Sequence, residues 1–200
     1  VTSSQCIIRE RKTMERIVQA LQKIAPLTNE DIVSFLRITK TRKLAKGEYW
    51  IEAGKNNRHI GFLDAGYLRK YYLKDGDEIT DCFYFENDFS ADLPSILSTS
   101  PSVASIVAMQ ESSLITFSYD NFIELCNASP RLEHLHRLII EITFLFFNDR
   151  AVSFVMETPK ERYDRLVSSR PDILQRVAQH HIASYLGISP QHLSRIRTRK

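Results

Sequence analysis

Apolar positions along the chain change period twice, and the changes divide it into regions. Between Met14 and Ala25, Ile17, Val18, Leu21 and Ile24 recur at helical spacing, and Pro26 closes the run. Thr28-Asn29-Glu30-Asp31 opens a second, short helix, with Thr28 as cap and Asp31 favourable in the first turn. From Thr39 the period falls to two. Short strands are predicted at 39–45, 48–52, 58–64, 67–73, 78–85, 103–109 and 113–118, punctuated by Lys46-Gly47, Ala53-Gly54, Ala65-Gly66 and Asp75-Gly76. The last pair, set between YYLK and the alternating EITDCFYF, signals a hairpin. Many short strands with glycine corners indicate an antiparallel roll or barrel rather than a parallel sheet. No GxGxxG or Walker loop occurs, which argues against a nucleotide-hydrolysing fold.

Helical spacing then returns. Tyr119 to Asn127 reads as a short helix, and Pro130 starts a long one running to about Met156. Its stripe is Leu135, Leu138, Ile142, Leu145, Val152 and Met156, and Phe144, Phe146, Phe147 and Phe154 widen the apolar surface. A helix covered on one side by its own roll and on another by a second chain has this pattern; the plainer alternative is a helix buried within one chain. Thr158-Pro159-Lys160-Glu161 is a capping box with proline at the first helical position, so the long helix stops near Glu157 and a new one begins. Tyr163, Leu166 and Val167 form the inner face of that helix, and Arg170-Pro171 ends it.

The last segment, Gln179 to Lys200, reads as a helix-turn-helix. Ile182, Ala183 and Leu186 form an apolar stripe, and Gly187 stands where a left-handed residue must end the first helix. Ser189 can cap the next helix, and Pro190 fits its first turn. Leu193 and Ile196 face inward. That leaves Gln191, His192, Ser194, Arg195, Arg197, Arg199 and Lys200 outward, side chains that hydrogen-bond base edges and phosphates.

The expected fold is therefore α+β. It has an N-terminal antiparallel β-roll (jelly-roll-like, a double-stranded β-helix) with flanking helices, a long dimerisation helix and a C-terminal helix-turn-helix. The boundaries are 1–13, a disordered tail or an extension; 14–129, the roll; 130–157, the long helix; and 158–200, the DNA-binding domain.

Charge supports this division. From Thr158 onward there are nine Lys and Arg against three Asp and Glu, net +6, while the rest nets −3 and the whole chain +3. Cations thus concentrate on the segment that carries the motif, as phosphate binding requires. At 43% hydrophobic and 26% charged the composition is globular. No apolar run approaches the roughly 18–20 residues of a membrane span, and the start of the chain lacks a signal-peptide core. Cys6, Cys82 and Cys126 lie far apart with no C-x-x-C, which fits a reducing cytoplasm rather than a disulfide framework.

Two other classes compete with DNA binding. A cupin-like enzyme needs several strand-borne histidines converging on a metal, but of six histidines only His59 lies among the strands. His134 and His136, two apart on a helix, diverge too far to share a metal. No nucleophilic triad stands out, so no catalytic residue and no metal site is expected. The other alternative is a ligand-binding or scaffolding roll without sequence-specific DNA binding, against which Arg195 and the basic tail argue.

The order of parts resembles the Crp/Fnr family of bacterial transcription regulators over about residues 20–197. The resemblance rests on Lys46-Gly47-Glu48 with Glu52-Ala53-Gly54, on the run from Ile60 to Arg69 (IGFLDAGYLR) and on Glu161-Arg162-Tyr163. It rests further on the segments Ile182 to Ser189 (IASYLGIS) and Leu193 to Arg197 (LSRIR), which are similar to the helix-turn-helix of a subgroup common in the Bacteroidetes. The resemblance implies a homodimer paired along the long helices, a small effector in the roll, a pseudo-palindromic double-stranded DNA operator, and RNA polymerase as a further partner. By position, Ser189, Gln191, His192, Ser194 and Arg195 would serve DNA contact, with Arg195 the best candidate for a bidentate contact to guanine. Arg197, Arg199 and Lys200 would meet phosphates.

Two departures from the family pattern matter. Its cyclic-nucleotide cassette carries a glutamate for the ribose and an arginine for the cyclic phosphate; here Asp92 is a shortened stand-in and Ser102 occupies the arginine's place. A serine hydroxyl does not offset the burial of a phosphate, so cyclic AMP is not expected. Phe147 and Asn148 likewise replace the small hydroxyl residues that would meet the purine. The pocket either takes another small ligand through Asp92, Ser95, Ser98, Thr99 and Ser102 or is filled by its own side chains. Second, the sequence stops at Lys200, where family members continue into a β wing: the subgroup lacks one or the sequence is truncated.

Overall fold

The computed structural model describes residues 3–198, with side chains from Thr13 onward. The chain divides into two compact units, one of residues up to 70 together with 83–141, the other of 71–82 together with the residues from 142 onward.

The first unit opens with α1 (Ser3–Gln22) and α2 (Asn29–Arg37). α1 starts well ahead of Met14, so the stretch read as a disordered tail or extension is helical from Ser3. It holds no glycine or proline to prevent this, and Thr13 is buried and donates to Asp64 Oδ1 at 2.7 Å. The capping box of α2 forms as the sequence predicts: Asp31 N donates to Thr28 Oγ1 at 3.3 Å and Thr28 N to Asp31 Oδ2 at 2.9 Å. Asp31 is buried and also accepts from Arg131 Nε at 2.6 Å and Ser129 Oγ at 2.7 Å. Burial alone would raise its pKa, but these hydrogen bonds outweigh burial and hold the carboxyl well below the usual range.

Eight strands follow: β1 (Lys40–Leu44), β2 (Tyr49–Ile51), β3 (His59–Ala65), β4 (Leu68–Lys74), β5 (Asp77–Tyr84), β6 (Phe89–Ser90), β7 (Ala104–Ala108) and β8 (Ser112–Ser118). They form two four-stranded sheets, ordered β1-β8-β3-β6 and β2-β7-β4-β5. β8 pairs antiparallel with both β1 and β3, and β2 with β7. The seven expected strands are all present within a residue or two. Two elements are additional: β6, too short to show a period, and α3 (Leu93–Ser98). At the corner between β3 and β4, Gly66 has φ +95°, and a Cβ there would collide with Ser112 and the Glu111 carbonyl.

After β8 come α4 (Tyr119–Ala128) and α5 (Pro130–Met156). The core of the first unit lies between these helices, α1, α2 and the β1-β8-β3-β6 sheet. Phe35, Phe117 and Phe122 meet edge-to-face there, with ring centroids 5.1–6.1 Å apart, among Ile17, Leu21 and Leu132.

The second unit holds the tip of the β4–β5 hairpin, the later part of α5, α6 (Pro159–Ser169), α7 (Ile173–Arg176), α8 (Gln179–Leu186) and α9 (Pro190–Thr198). Asp75 and Gly76 both take positive φ, 54° and 88°, as a two-residue hairpin turn of the primed kind requires. β5 is an outer strand of its sheet, and α8 meets its edge: Thr80 N donates to Ser184 Oγ at 2.9 Å, and Ser184 Oγ donates to Glu78 O at 3.2 Å. The box at Thr158 forms, with Glu161 N donating to Thr158 Oγ1 at 3.3 Å and Thr158 N to Glu161 Oε2 at 2.8 Å. α7 was not expected. It is one turn long, and it exists because Ile173 and Val177 are buried beyond the Pro171 break.

Candidate nucleic-acid interface and the inner site of the roll

The turn between α8 and α9 is built by a glycine cap. Gly187 adopts φ +71°, which lets its N–H reach Ser184 O at 3.1 Å and the Ile188 N–H reach Ala183 O at 3.0 Å. Together they close a Schellman motif. Ser189 Oγ then accepts from His192 N at 3.2 Å, capping α9, whose first residue is Pro190. Ile182, Ala183, Leu186, Leu193 and Ile196 are all buried. Gln191, Ser194, Arg195 and Arg197 are exposed along α9 beside the exposed Ser189, and His192 is half-buried. Arg195 and Arg197 make no ion pair among the described residues. Arg199 and Lys200 lie outside those residues.

The apolar stripe of α5 has two fates. Leu135 is fully buried in the core of its own unit and Leu138 packs against that core, so Leu135 is removed from the expected dimer face. The reason is the Phe35–Phe117–Phe122 cluster, which covers the start of α5, and helical periodicity cannot say which partner covers a stripe. Ile142, Leu145, Val152 and Met156 remain exposed, Leu145 by 61% and Met156 by 75%. Phe144 and Val155 are exposed too, Val155 three residues beyond Val152 and so on the same three-and-four spacing.

In the roll, Asp92 and Ser102 come together around a residue the sequence reading missed. Lys70, only 1% exposed, lies with Nζ 3.0 Å from Asp92 Oδ1, and Asp92 itself is 2% exposed. The Ser102 hydroxyl lies 2.6 Å from Asp92 Oδ2 and 2.7 Å from Ala104 O and shares its proton between them. Lys70 sits between Leu68 and Tyr72 in the period-two register, and a cation inside such a register was the available signal. Ser95, Ser98 and Thr99 are engaged locally instead, donating to Ser100 O, Pro94 O and Ser98 O. Phe147 and Asn148 are on the part of α5 that belongs to the second unit; Phe147 packs edge-on to Phe146 at 5.4 Å and Asn148 is exposed.

Among the described residues no cluster of three or more His, Cys, Asp or Glu is arranged to hold a metal ion, and no helix is long and apolar enough to cross a membrane. Burial pushes the Cys126 thiol up to about 11.

Residues 41–129 match the family model of the cyclic nucleotide-binding domain. No curated protein matches the chain. Among solved structures it is similar to the catabolite activator protein of Thermus thermophilus, at 17% identity over 89% of this chain and 84% of that one, TM-score 0.58. It is also similar to DNR of Pseudomonas aeruginosa, a transcriptional regulator, at 21% identity over 92% and 86%, TM-score 0.54. A third is CLP of Xanthomonas campestris, a c-di-GMP-responsive global regulator, at 15% identity over 84% and 89%, TM-score 0.63. At these identities the likeness is one of fold: mixed α and β, with antiparallel sheets in a jelly-roll-like cyclic nucleotide-binding arrangement.

Proposed function

We propose that the chain is a DNA-binding transcription regulator of the Crp/Fnr type that acts as a homodimer and reads DNA with α9. One observation carries this reading: α9 buries Leu193 and Ile196 and turns outward a face of Gln191, Ser194, Arg195 and Arg197 whose two arginines have no partner among the described residues. Unpaired guanidiniums beside amide and hydroxyl groups suit base edges and phosphates. The likeness of fold to DNR, CLP and the catabolite activator protein supports the same reading.

In this reading the exposed apolar face of α5 from Ile142 to Met156 pairs two copies, and the break at Glu157–Thr158 separates pairing from DNA contact. Two α9 helices then stand roughly 34 Å apart on a pseudo-palindromic site. Arg195 reads guanine, while Arg197, with Arg199 and Lys200, holds phosphates. RNA polymerase is the further partner, and the cytoplasm the setting.

The roll does not take cyclic AMP. Lys70 and Asp92 neutralise each other in a buried place, so a cyclic phosphate added beside them would leave one negative charge without a counter-ion. Asp92 and Ser102 complete an internal network there and leave any effector to be identified.

The test is selection of bound duplexes from a random pool, followed by titration of the selected site with wild-type protein and Arg195→Ala. The expected result is a two-fold-symmetric site at which the variant loses roughly 1–3 kcal/mol of discrimination at one base pair in each half. Equal weakening on all duplexes would remove Arg195 from base reading. Absence of any duplex binding would leave a ligand-binding or scaffolding module.

A further inference from the structure

Within the second unit, α5 and α6 face each other through stripes that are polar where packed helices are ordinarily apolar. α5 presents Phe146, Asp149, Arg150 and Ser153, at i, i+3, i+4 and i+7. α6 presents Arg162, Arg165, Leu166 and Ser169 at the same spacing. Between them lies a cavity of about 260 Å³, closed by Tyr185 and Leu186 of α8. Three guanidiniums and Asp149 line it, with Asp81 beside Arg150 and Glu157 beside Arg165, so the balance turns positive by one charge when the exposed Asp149 is displaced.

The three arginines are not equivalent. Arg162 is engaged in structure: Nη1 donates to Glu157 O at 2.6 Å and Ser153 O at 3.3 Å, while Nε and Nη2 donate to Leu186 O at 3.3 and 3.1 Å. It caps two helix ends at once. Arg165 is held by Asp149 and, at 3.4 Å, by Glu157. Asp149 is 69% exposed, so that pair is well solvated and readily exchanged for another anion. Arg150 donates through Nη2 to Tyr185 O at 3.0 Å, has Nε 3.7 Å from Asp81, and lies 3.9 Å over the Tyr185 ring. The Tyr185 side chain is a further hydrogen-bond partner, and the Arg150 side chain is only 14% exposed. A guanidinium held in place by Asp81, by stacking and by hydrogen bonds to Tyr185, with five N–H donors at a cavity wall, is preorganised for an oxyanion.

We infer that this cavity binds a small anionic metabolite that carries one oxyanion head, phosphate or carboxylate, on an apolar body. The head engages Arg150 and takes the place of Asp149 on Arg165. The body lies against Phe146 and Leu166. The volume falls just below that of pockets for drug-sized ligands, which fits a single ring with its head group. Because Arg162, Arg150 and Tyr185 tie α5, α6 and α8 together, occupancy would stiffen the unit that carries α9.

The test is calorimetric titration and thermal melting of the full chain with phenyl phosphate, benzoate, inorganic phosphate and, as an uncharged control, phenol. Phenyl phosphate or benzoate should bind and raise the melting temperature, more tightly than inorganic phosphate, and phenol should not; which of the two is stronger separates a phosphate from a carboxylate head. Arg150→Gln should weaken binding by roughly tenfold or more, the loss of a charge-assisted hydrogen bond. Ser169→Trp, which fills the rim and leaves every guanidinium in place, should do the same with an unchanged circular dichroism spectrum. Absence of binding by both aromatic anions at millimolar concentration, or unchanged binding in Ser169→Trp, overturns the inference. Duplex binding measured on the same preparation keeps the outcomes apart, because DNA binding without probe binding removes this site and leaves the regulator standing.

Discussion

At the scale of single residues, the most consequential side chain is one that no motif flagged. Lys70 and Asp92 form an ion pair from which water is almost wholly excluded, and Ser102 completes it. Such a pair is a poor source of net stability, because desolvating both charges offsets their attraction, but removing one partner strands the other. Lys70→Met alone or Asp92→Leu alone should therefore cost about 3–5 kcal/mol in urea denaturation. The double replacement should recover most of that loss, within about 1.5 kcal/mol of wild type, since apolar pairs of similar volume fit such places. Additive losses in the double variant would mean that the charges do not act as a pair. Ser102 was legible as a serine where the resemblance implies a phosphate-binding arginine, but the lysine opposite was not. Alternation in β4 marks Lys70 as sharing a face with Leu68, yet burial of both faces of that strand depends on what covers it.

At the scale of elements, legibility follows how local the determinants are. The boxes at Thr28 and Thr158, the left-handed turn at Gly187 and the Asp75-Gly76 hairpin are fixed by three or four neighbouring residues, and all formed where the pattern put them. β6 spans two residues and α7 four, too short for any period to announce them. α5 is intermediate. Its length was legible from Pro130 to Met156, but the division of its apolar positions was not, because Leu135 belongs to a core drawn from as far back as Ile17 and Phe35, and Leu145 belongs to none of it. The exposed half of α5 belongs to a second copy in our reading, and this leads to a direct expectation. Leu145→Asp should shift the protein from dimer to monomer in analytical ultracentrifugation while leaving its far-ultraviolet circular dichroism unchanged, because a side chain 61% exposed contributes little within its own chain. A variant that stays dimeric would move the pairing surface elsewhere.

At the scale of the whole molecule, the distribution of charge bears on the proposed binding of DNA. The chain carries only +3 overall, yet the residues from Thr158 onward carry +6 and the remainder −3. In our reading a duplex is repelled by most of the protein and attracted by one part of it, which would orient the encounter before any base is read. Within that part, roles should separate by how each arginine responds to salt. A phosphate contact releases counter-ions, so its loss lowers the dependence of log K on log salt by about 0.9 per contact, or about 1.8 for a dimer that makes it twice. Arg197→Ala should show this reduction equally on the selected site and on unrelated duplex, since phosphates are the same in both. Arg195→Ala should instead narrow the gap between the two duplexes with a smaller change in slope, because a contact to a base edge is made only where that base is present. The helical spacing places the two side chains two residues apart, about 200° around α9, so they cannot face the same groove wall together. If both variants lost slope and discrimination in equal measure, α9 would be acting as a uniform cationic rod, and the division between reading and holding would fail even with DNA binding intact.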